Sequence, residues 1–424
     1  MNNPAQPSLK EALKFWFKLG FISFGGPAGQ IATMHTELVE RKRWISEKNF
    51  LHALNYCMVL PGPEAQQLAT YLGWLMHSTW GGIAAGALFV LPSLFILIAL
   101  SWIYLSFQHL ALIANIFYAI KPAVVMIVLH AAFRIGHRAL KTKLLWGVAA
   151  GSLITTSILD WPFPLIVLLA GTIGWLSQSK RDTKAETSQP QLSNIRYDQL
   201  ARHLMIGLAL WIIPVGLMIL IVGWQHTYTQ LSWFFTKAAL LTFGGAYSVL
   251  PYVFDASVNH YQWLSASQML DGLALGETTP GPLIMIVAFV GYIASHSQHL
   301  LGQGMEFGAG ALGAAIATWF TFLPSFLFIL IGAPFVERTQ ESGQLAAPLN
   351  AISAAVIGVI INLALYFAYH VYWPTGLHST VDFKALALSA LAAVLLFKLK
   401  WSMTRVVLCF AGIGLAMTAI NALT

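Results

Sequence analysis

The chain interrupts its own hydrophobic segments with the strongest helix breakers among the amino acids. Phe24-Gly25-Gly26-Pro27 lies inside the apolar run "KLGFISFGGPAGQ", and Pro61-Gly62-Pro63 follows "ALNYCMVL". Both devices recur, as Phe243-Gly244-Gly245 and Pro280-Gly281-Pro282, at a common offset of 219 residues (243 − 24). Lys18 and Lys237, Trp44 and Trp263, and Ser46 and Ser265 keep the same offset. Further on it becomes 232 (325 − 93), with Leu91-Pro92-Ser93 matching Leu323-Pro324-Ser325 and Ala123-Val124 matching Ala355-Val356. Rare residues in one order at one spacing mark an internal duplication.

The breakers are unusual because of what surrounds them. Of 424 residues 57% are hydrophobic and 9% charged, against about a quarter charged in a soluble domain. That composition predicts an all-α polytopic membrane protein, and the 15 Trp suit bilayer interfaces. The net charge of +7 reads as basic loops that set orientation. There is no basic, aromatic-interleaved strip, which excludes nucleic acid as a partner. Cys57 and Cys409 have no metal-ligand spacing and read as small buried hydrophobes. The first twenty residues lack the h-region of a cleavable signal peptide. No Ser/His/Asp arrangement, phosphate loop or metal cluster is present, so neither an enzyme nor a cofactor is expected.

The polar stretch 178–203 is a linker by composition. It separates a first repeat, 1–177, from a reversing span within 204–232 and a second repeat, 233–424. Charge sets their relative orientation. Glu40-Arg41-Lys42-Arg43 aligns with uncharged Asn259-His260-Tyr261-Gln262. The loop carrying Arg134, Arg138, Lys141 and Lys143 aligns with a segment holding one Lys. Uncharged "YLSFQHLALIAN" aligns with a stretch carrying Glu337, Arg338 and Glu341. By the positive-inside rule the repeats are inverted, with the N-terminus cytoplasmic.

With 41–48 inside and 105–112 outside, one full span, 82–103, lies between, so 50–77 must leave and return on the same side. The arm 50–60 reaches about 16 Å, half of a ~30 Å hydrocarbon core. Re-entrant hairpins are therefore expected at 10–40 and 50–77, and from the opposite side at 233–258 and 267–296. The remaining spans are 112–133, 144–160, 162–177, 204–224, 309–333, 348–370, 385–398 and 406–423. The expected total is nine full spans plus four hairpins.

Irregular backbone at membrane depth must line a cavity or be buried in protein. Each returning arm points a helix N-terminus, with its free N–H groups and about half a positive charge, at the centre. This is the broken-helix plan of secondary transporters and favours an anion. The candidate substrate-binding residues are Lys18, Gly25, Gly26, Pro27, Pro61, Gly62, Pro63, Gln67, Lys237, Gly244, Gly245, Thr279, Pro280, Gly281 and Pro282. Lys18 shares a helical face with Lys10 and Lys14, which is also the pattern of an interfacial lysine. Glu277 and Glu64 are the proton-coupling candidates, since burial in a membrane favours the neutral acid. Glu64 also suits a first-turn carboxylate stabilised by the helix dipole. Thr278 and Thr279 suit bonds to neighbouring backbone. His35 reads as a packing or interfacial histidine, and Asp160 and Asp271 as interfacial.

The ordered set Phe24-Gly25-Gly26-Pro27, Met34, Val39-Glu40, Trp44, Pro61-Gly62-Pro63, Gln67, Tyr71-Leu72-Gly73 and Leu91-Pro92-Ser93 resembles the chromate transporter family in its long, two-domain form. The resemblance implies a bacterial inner-membrane protein that moves chromate outward, uses the proton gradient and confers chromate resistance. The expected partners are then chromate or a sulfate-like oxyanion, protons and the lipid bilayer, with a homodimer allowed. A sulfate transporter and an anion channel are the competing readings. The second half departs from the pattern: Ala246 stands where the first has Pro27, and Leu283 where it has Glu64.

Overall fold

A computed structural model describes residues 7–24, 26–177, 197–298, 300–336, 346–376 and 380–423. Gly25, most of the polar linker and the acidic stretch with Glu337, Arg338 and Glu341 lie outside the described residues. Among the described residues there is no strand. In the first half α1 (Leu9–Ile22), α2 (Gly26–His35), α3 (Glu47–Val59), α4 (Glu64–Phe107), α5 (Ala111–Ala139), α6 (Lys143–Ile158) and α7 (Phe163–Leu176) follow in order. A connecting α8 (Tyr197–Val222) leads to α9 (Thr227–Leu240), α10 (Ala246–Phe254), α11 (Ala266–Thr278), α12 (Ile286–His296), α13 (Glu306–Val336), α14 (Ala346–Tyr372), α15 (Phe383–Ala393) and α16 (Met403–Leu423). The breakers do what their chemistry dictates. α1 stops before Gly26, α3 before Pro61, α9 before Gly244 and α11 before Pro280.

Among the described residues, six helices are long and apolar enough to cross a membrane: α4, α5, α8, α13, α14 and α16. α6, α7 and α15, counted as full spans from the sequence, have 16, 14 and 11 residues. The first two reach only about 24 and 21 Å. Pro162 and Pro164 and the π-turn at 394–398 limit them.

α4 has 44 residues, about 66 Å if straight and twice a ~30 Å hydrocarbon core. It is not straight. His77 (φ −141°, ψ 34°) and Ser78 (φ 53°, ψ −152°) leave helical geometry. Residues 64–76 then fold back along 79–107. A Cβ on Gly73 would stand 2.5 Å from the Gly81 carbonyl oxygen, and one on Gly82 3.0 Å from that of Thr70. Small residues thus let the two backbones touch, as they do between membrane helices. The expected separation of an arm ending near 77 from the span that follows matches this break.

The same local structure occurs at both ends of the 219-residue offset. A π-turn at Thr36–Arg41 recurs at Asp255–His260. Arg43 and Gln262 both have positive φ, 53° and 52°. The Trp44 N–H donates to the Leu38 carbonyl (2.9 Å), and the Trp263 N–H to that of Ser257 (2.8 Å). Trp44 meets Phe15 edge-on at 5.7 Å, and Trp263 meets Phe234 edge-on at 5.9 Å. Ser46 and Ser265 cap α3 and α11 through the N–H three residues on.

Side-chain contacts fix where the broken helices start. α1 begins beside the break in α4, where His77 Nε2 is 3.0 Å from the Pro7 carbonyl oxygen. α2 returns to that end and sets His35 2.8 Å from Glu47 at the head of α3. α8 also starts there, His203 lying 3.3 Å from Thr79. Its far end, Gly223, accepts a bond from Thr229 at the head of α9 (2.9 Å), about 30 Å of helix away. α12 ends beside the head of α9 too, where Thr227 donates to Gln298. The first-half pairs therefore enter from one end of the bundle and the second-half pairs from the other.

Arg134 and Arg138, assigned to a loop from the sequence, belong to α5, which continues to Ala139. A lone glycine, Gly136, is tolerated within a helix, and the two arginines share a face at i, i+4.

Gly73→Leu should prevent the arm from seating, because the obstruction is backbone rather than a yielding side chain. Overpacking costs about 1–3 kcal/mol, so its Tm in detergent should fall clearly. Gly147→Leu, with nothing within 4 Å of its Cβ position, should leave Tm within a degree or so of wild type by this overpacking criterion.

Candidate functional site

The four breaks meet in one place. The Gly62 N–H donates to the Thr242 carbonyl (2.7 Å), and the Gly281 N–H donates to the Ser23 carbonyl (2.7 Å). Each half thus satisfies the break in the other, and the two bonds join equivalent residues. Around Gly62, Gln67 Nε2 donates to the Pro61 carbonyl (2.8 Å) and lies 3.5 Å from Ser325 Oγ. Around Gly281, Gln30 donates to its carbonyl and Ser93 to that of Pro280. Ser93 and Ser325 are the serines of the two Leu-Pro-Ser motifs. Glycine is required at both centres, since φ is +128° at Gly62 and +101° at Gly281. Among the described residues, Ser23 Oγ and the amide oxygens of Gln30, Gln66 and Gln67 are buried without a hydrogen-bond partner.

A cavity of about 560 Å³ leads to this crossing from the end where α1, α3 and α8 begin. Pro27 at the head of α2, Glu64 at the head of α4, and Gly244, Gly245, Ala246 and Tyr247 at the head of α10 form its floor. Arg134 and Arg138 form one wall, and His35, Glu40 and Glu47 lie at its mouth. Three helix N-termini and two guanidinium groups therefore face one space. Each N-terminus carries about half a positive charge and free N–H groups. Glu64 is the opposing charge on the floor, 3.9 Å from where a Gly245 Cβ would stand. Arg138 lies within electrostatic reach of it. At the mouth His35 bridges Glu40 (3.1 Å) and Glu47 (2.8 Å).

Glu277 lies just behind the floor and is buried. Its carboxylate accepts the Tyr247 hydroxyl, and its backbone carbonyl accepts the Thr404 hydroxyl (3.2 Å). Arg134 is in electrostatic reach of Glu277 and Tyr247. One phenol thus separates the cavity from a buried acid.

The structure brings together Gly26, Pro27, Glu64, Gly244 and Gly245 at the floor, and Pro61, Gly62, Pro63, Gln67, Pro280, Gly281 and Pro282 at the crossing. Thr279 and Thr278 donate to the Leu275 carbonyl behind them (2.6 and 3.0 Å). Lys18 is exposed on α1, away from the buried face of Phe15, Trp16 and Leu19. Lys237 lies 5.9 Å from the centroid of Trp233. Neither lysine is among the residues lining the cavity. Asp271, expected at an interface, is buried. It accepts the Tyr104 hydroxyl (2.9 Å) and pairs with Lys121 (3.5 Å), because α11 packs that face against α4 and α5. Sequence reasoning missed Arg134, Arg138 and Tyr247 as site residues. The i, i+4 arginines of a continuous helix, and a tyrosine two residues beyond a Gly-Gly, were the available signals.

The family model for chromate transporters matches residues 10–175 and 229–416, covering both sets of breaks. The chain belongs to the chromate transporter family. It is 30% identical over 406 residues to a chromate transport protein of Cupriavidus metallidurans, covering 93% of this chain and 89% of that one. It is 32% identical over 360 residues to a chromate transport protein of Pseudomonas aeruginosa, covering 84% and 80%. A probable chromate transport protein of Synechococcus elongatus is 29% identical over 354 residues, covering 83% of each. No solved structure matches the chain. The cavity therefore belongs to a member of a transporter family, and an enzymatic role is correspondingly disfavoured.

Hydrogen bonds to charged groups contribute about 1.5–3 kcal/mol. Arg138→Gln and Arg134→Gln should therefore each weaken chromate binding roughly 10- to 100-fold by equilibrium dialysis of purified protein. Lys18→Gln and Lys237→Gln, by their distance from the cavity, should change it less than about twofold.

Proposed function

We propose that this protein exports chromate from the cytoplasm in exchange for protons, and so confers chromate resistance. The convergence of the α2, α4 and α10 N-termini with Arg134 and Arg138 on one cavity carries the reading. A tetrahedral dianion suits that donor set, since helix N-termini bind such groups without a dedicated cage. Guanidinium groups add bidentate bonds. The relatives named for chromate transport supply the choice among oxyanions.

Arg41, Lys42 and Arg43 follow the cavity residue Glu40, and Lys141 and Lys143 follow the cavity residue Arg138, so by the positive-inside rule the cavity end faces the cytoplasm of an inner membrane, together with the N-terminus. The two halves are then inverted repeats. The pairs α1–α2 and α3 with 64–76 re-enter from inside, and α9–α10 and α11–α12 from outside. α8 supplies the reversal. The four ends meet near the midplane, as in broken-helix carriers. An inside-negative potential favours exit of the dianion, by about 2.3 kcal/mol per charge per 100 mV. Glu277, reached from the cavity through Tyr247, is the proton carrier, with Glu64 as the acid that meets the oxyanion.

Chromate uptake into inside-out proteoliposomes should saturate, should be driven by an opposing pH gradient and should be competed by sulfate. A non-saturating current indifferent to the gradient would identify a channel instead. Glu277→Gln should keep chromate binding within about twofold and lose the dependence on the gradient, by the uncharged substitution of the carrier acid. An unchanged gradient response would remove Glu277 from the coupling. For orientation, a cysteine at His260 should react with an impermeant thiol reagent from outside and one at Lys42 should not. Equal labelling would overturn inversion.

A further inference from the structure

The two offsets assign the first-half residues of the cavity counterparts in the second half. His35 at the mouth corresponds to Phe254, and the wall arginines Arg134 and Arg138 correspond to Tyr366 and His370. The counterparts touch one another. Phe254 meets Tyr366 edge-on at 4.8 Å, and Tyr366 stacks on His370 at 4.2 Å. The stack is anchored, since Phe254 is buried against Phe367 and His370 Nδ1 is 3.0 Å from the Tyr366 carbonyl oxygen. Thus where the first half has an open, cationic space, equivalent positions of the second half are filled by rings. α10 carries Phe254 away from the crossing towards the end where α9 begins, opposite the cavity mouth. The charge also differs. Two arginines give way to a phenol and an imidazole, and Asp255, next to Phe254, acts electrostatically on Tyr366.

We propose that Phe254, Tyr366 and His370 close a second vestibule, which is the release site for the oxyanion on the far side of the crossing. It rests on the export reading. Separation of Tyr366 from Phe254 would open a path from the crossing lined by Ala246 and Leu283, the counterparts of Pro27 and Glu64. That path holds the oxyanion weakly, because it lacks the guanidinium pair that gives the first vestibule its affinity. A duplicated carrier with one strong and one weak vestibule loads on one face and discharges on the other. The direction is built into the side chains rather than the backbone.

The test uses the full chain in proteoliposomes, with Cys57→Ala and Cys409→Ala as background. Phe254→Cys with Tyr366→Cys should transport chromate before treatment. A short, reducible bifunctional thiol cross-linker should lower transport at least tenfold, and reduction should restore it. Chromate binding from the cavity side should stay within twofold throughout. Undiminished transport by protein shown to be cross-linked would overturn the proposal. Tyr366→Arg is the second variant: it removes the ring between Phe254 and His370 and puts a guanidinium at the position equivalent to Arg134. It should raise chromate affinity measured from the far side at least fivefold, and an unchanged far-side affinity would also overturn it. Wild-type vesicles that move no oxyanion would overturn the export reading and this one with it. Wild-type transport with an indifferent cross-link would overturn the release site alone.

Discussion

A backbone N–H or carbonyl without a partner in hydrocarbon costs several kcal/mol. A chain that breaks four helices inside apolar segments must answer that cost four times. Here the answer is reciprocal. Gly62 gives its N–H to Thr242, and Gly281 gives its N–H to Ser23. Gln67, Gln30 and Ser93 take up carbonyls of the two Pro-Gly-Pro turns. Because each half completes the other, the breaks must coincide in space. Their coincidence gathers helix N-termini at one point. The cavity, its arginines and its buried acid are arranged around that point, and none would be near the others if the breaks were satisfied locally.

The same arrangement explains how two arginines are tolerated at the end of a long apolar helix. A charge facing lipid is expensive, whereas one facing a water-accessible space keeps its solvation. Arg134 and Arg138 project from α5 into the cavity, opposite Glu64 and the head of α10. Glu277 is different. It is buried and bonded to the Tyr247 hydroxyl, with Arg134 in electrostatic reach. In the export reading the cavity takes the anion and the enclosed acid behind it holds the proton.

Much of this was legible in the sequence. The 219-residue offset located both sets of breaks, and the step to 232 records one difference in connection. The first half turns from arm to span through His77 and Ser78 alone, while the second uses the longer segment between His296 and Glu306. The roles of Gly62 and Gly281 followed from residue type, because few residues other than glycine take such backbone angles. The arginines were harder. Positive charge after an apolar run is the usual mark of a loop, and only the absence of a proline or a paired glycine between Arg134 and Leu140 says the helix continues. Lys18 was ambiguous for a related reason. Recurrence at equivalent positions reports a shared fold position, here the outer face of α1, and says nothing about which way the face points. Asp271 could not be placed because its partners, Tyr104 and Lys121, lie on helices about 170 and 150 residues earlier.

That last pair bears on which parts move together. Asp271 is buried but the Lys121 side chain is 24% exposed, and a partly solvated ion pair adds little net stability. The Lys121–Asp271 contact, with Tyr104 and Ser267 bonded to its two members, therefore fixes register more than it adds stability. It ties α5, which carries Arg134 and Arg138, to α11, which carries Glu277. Arg134 and Arg138 on one helix and Glu277 on the other are linked through this contact. α10 and α14 meet by contrast through rings, at Phe254, Tyr366 and His370. Ring contacts contribute about 0.5–1.5 kcal/mol each beyond burial. Parting that junction also uncovers the Phe254 ring, which is buried against Phe367 as well, so opening the far face in the export reading requires a new seat for that ring.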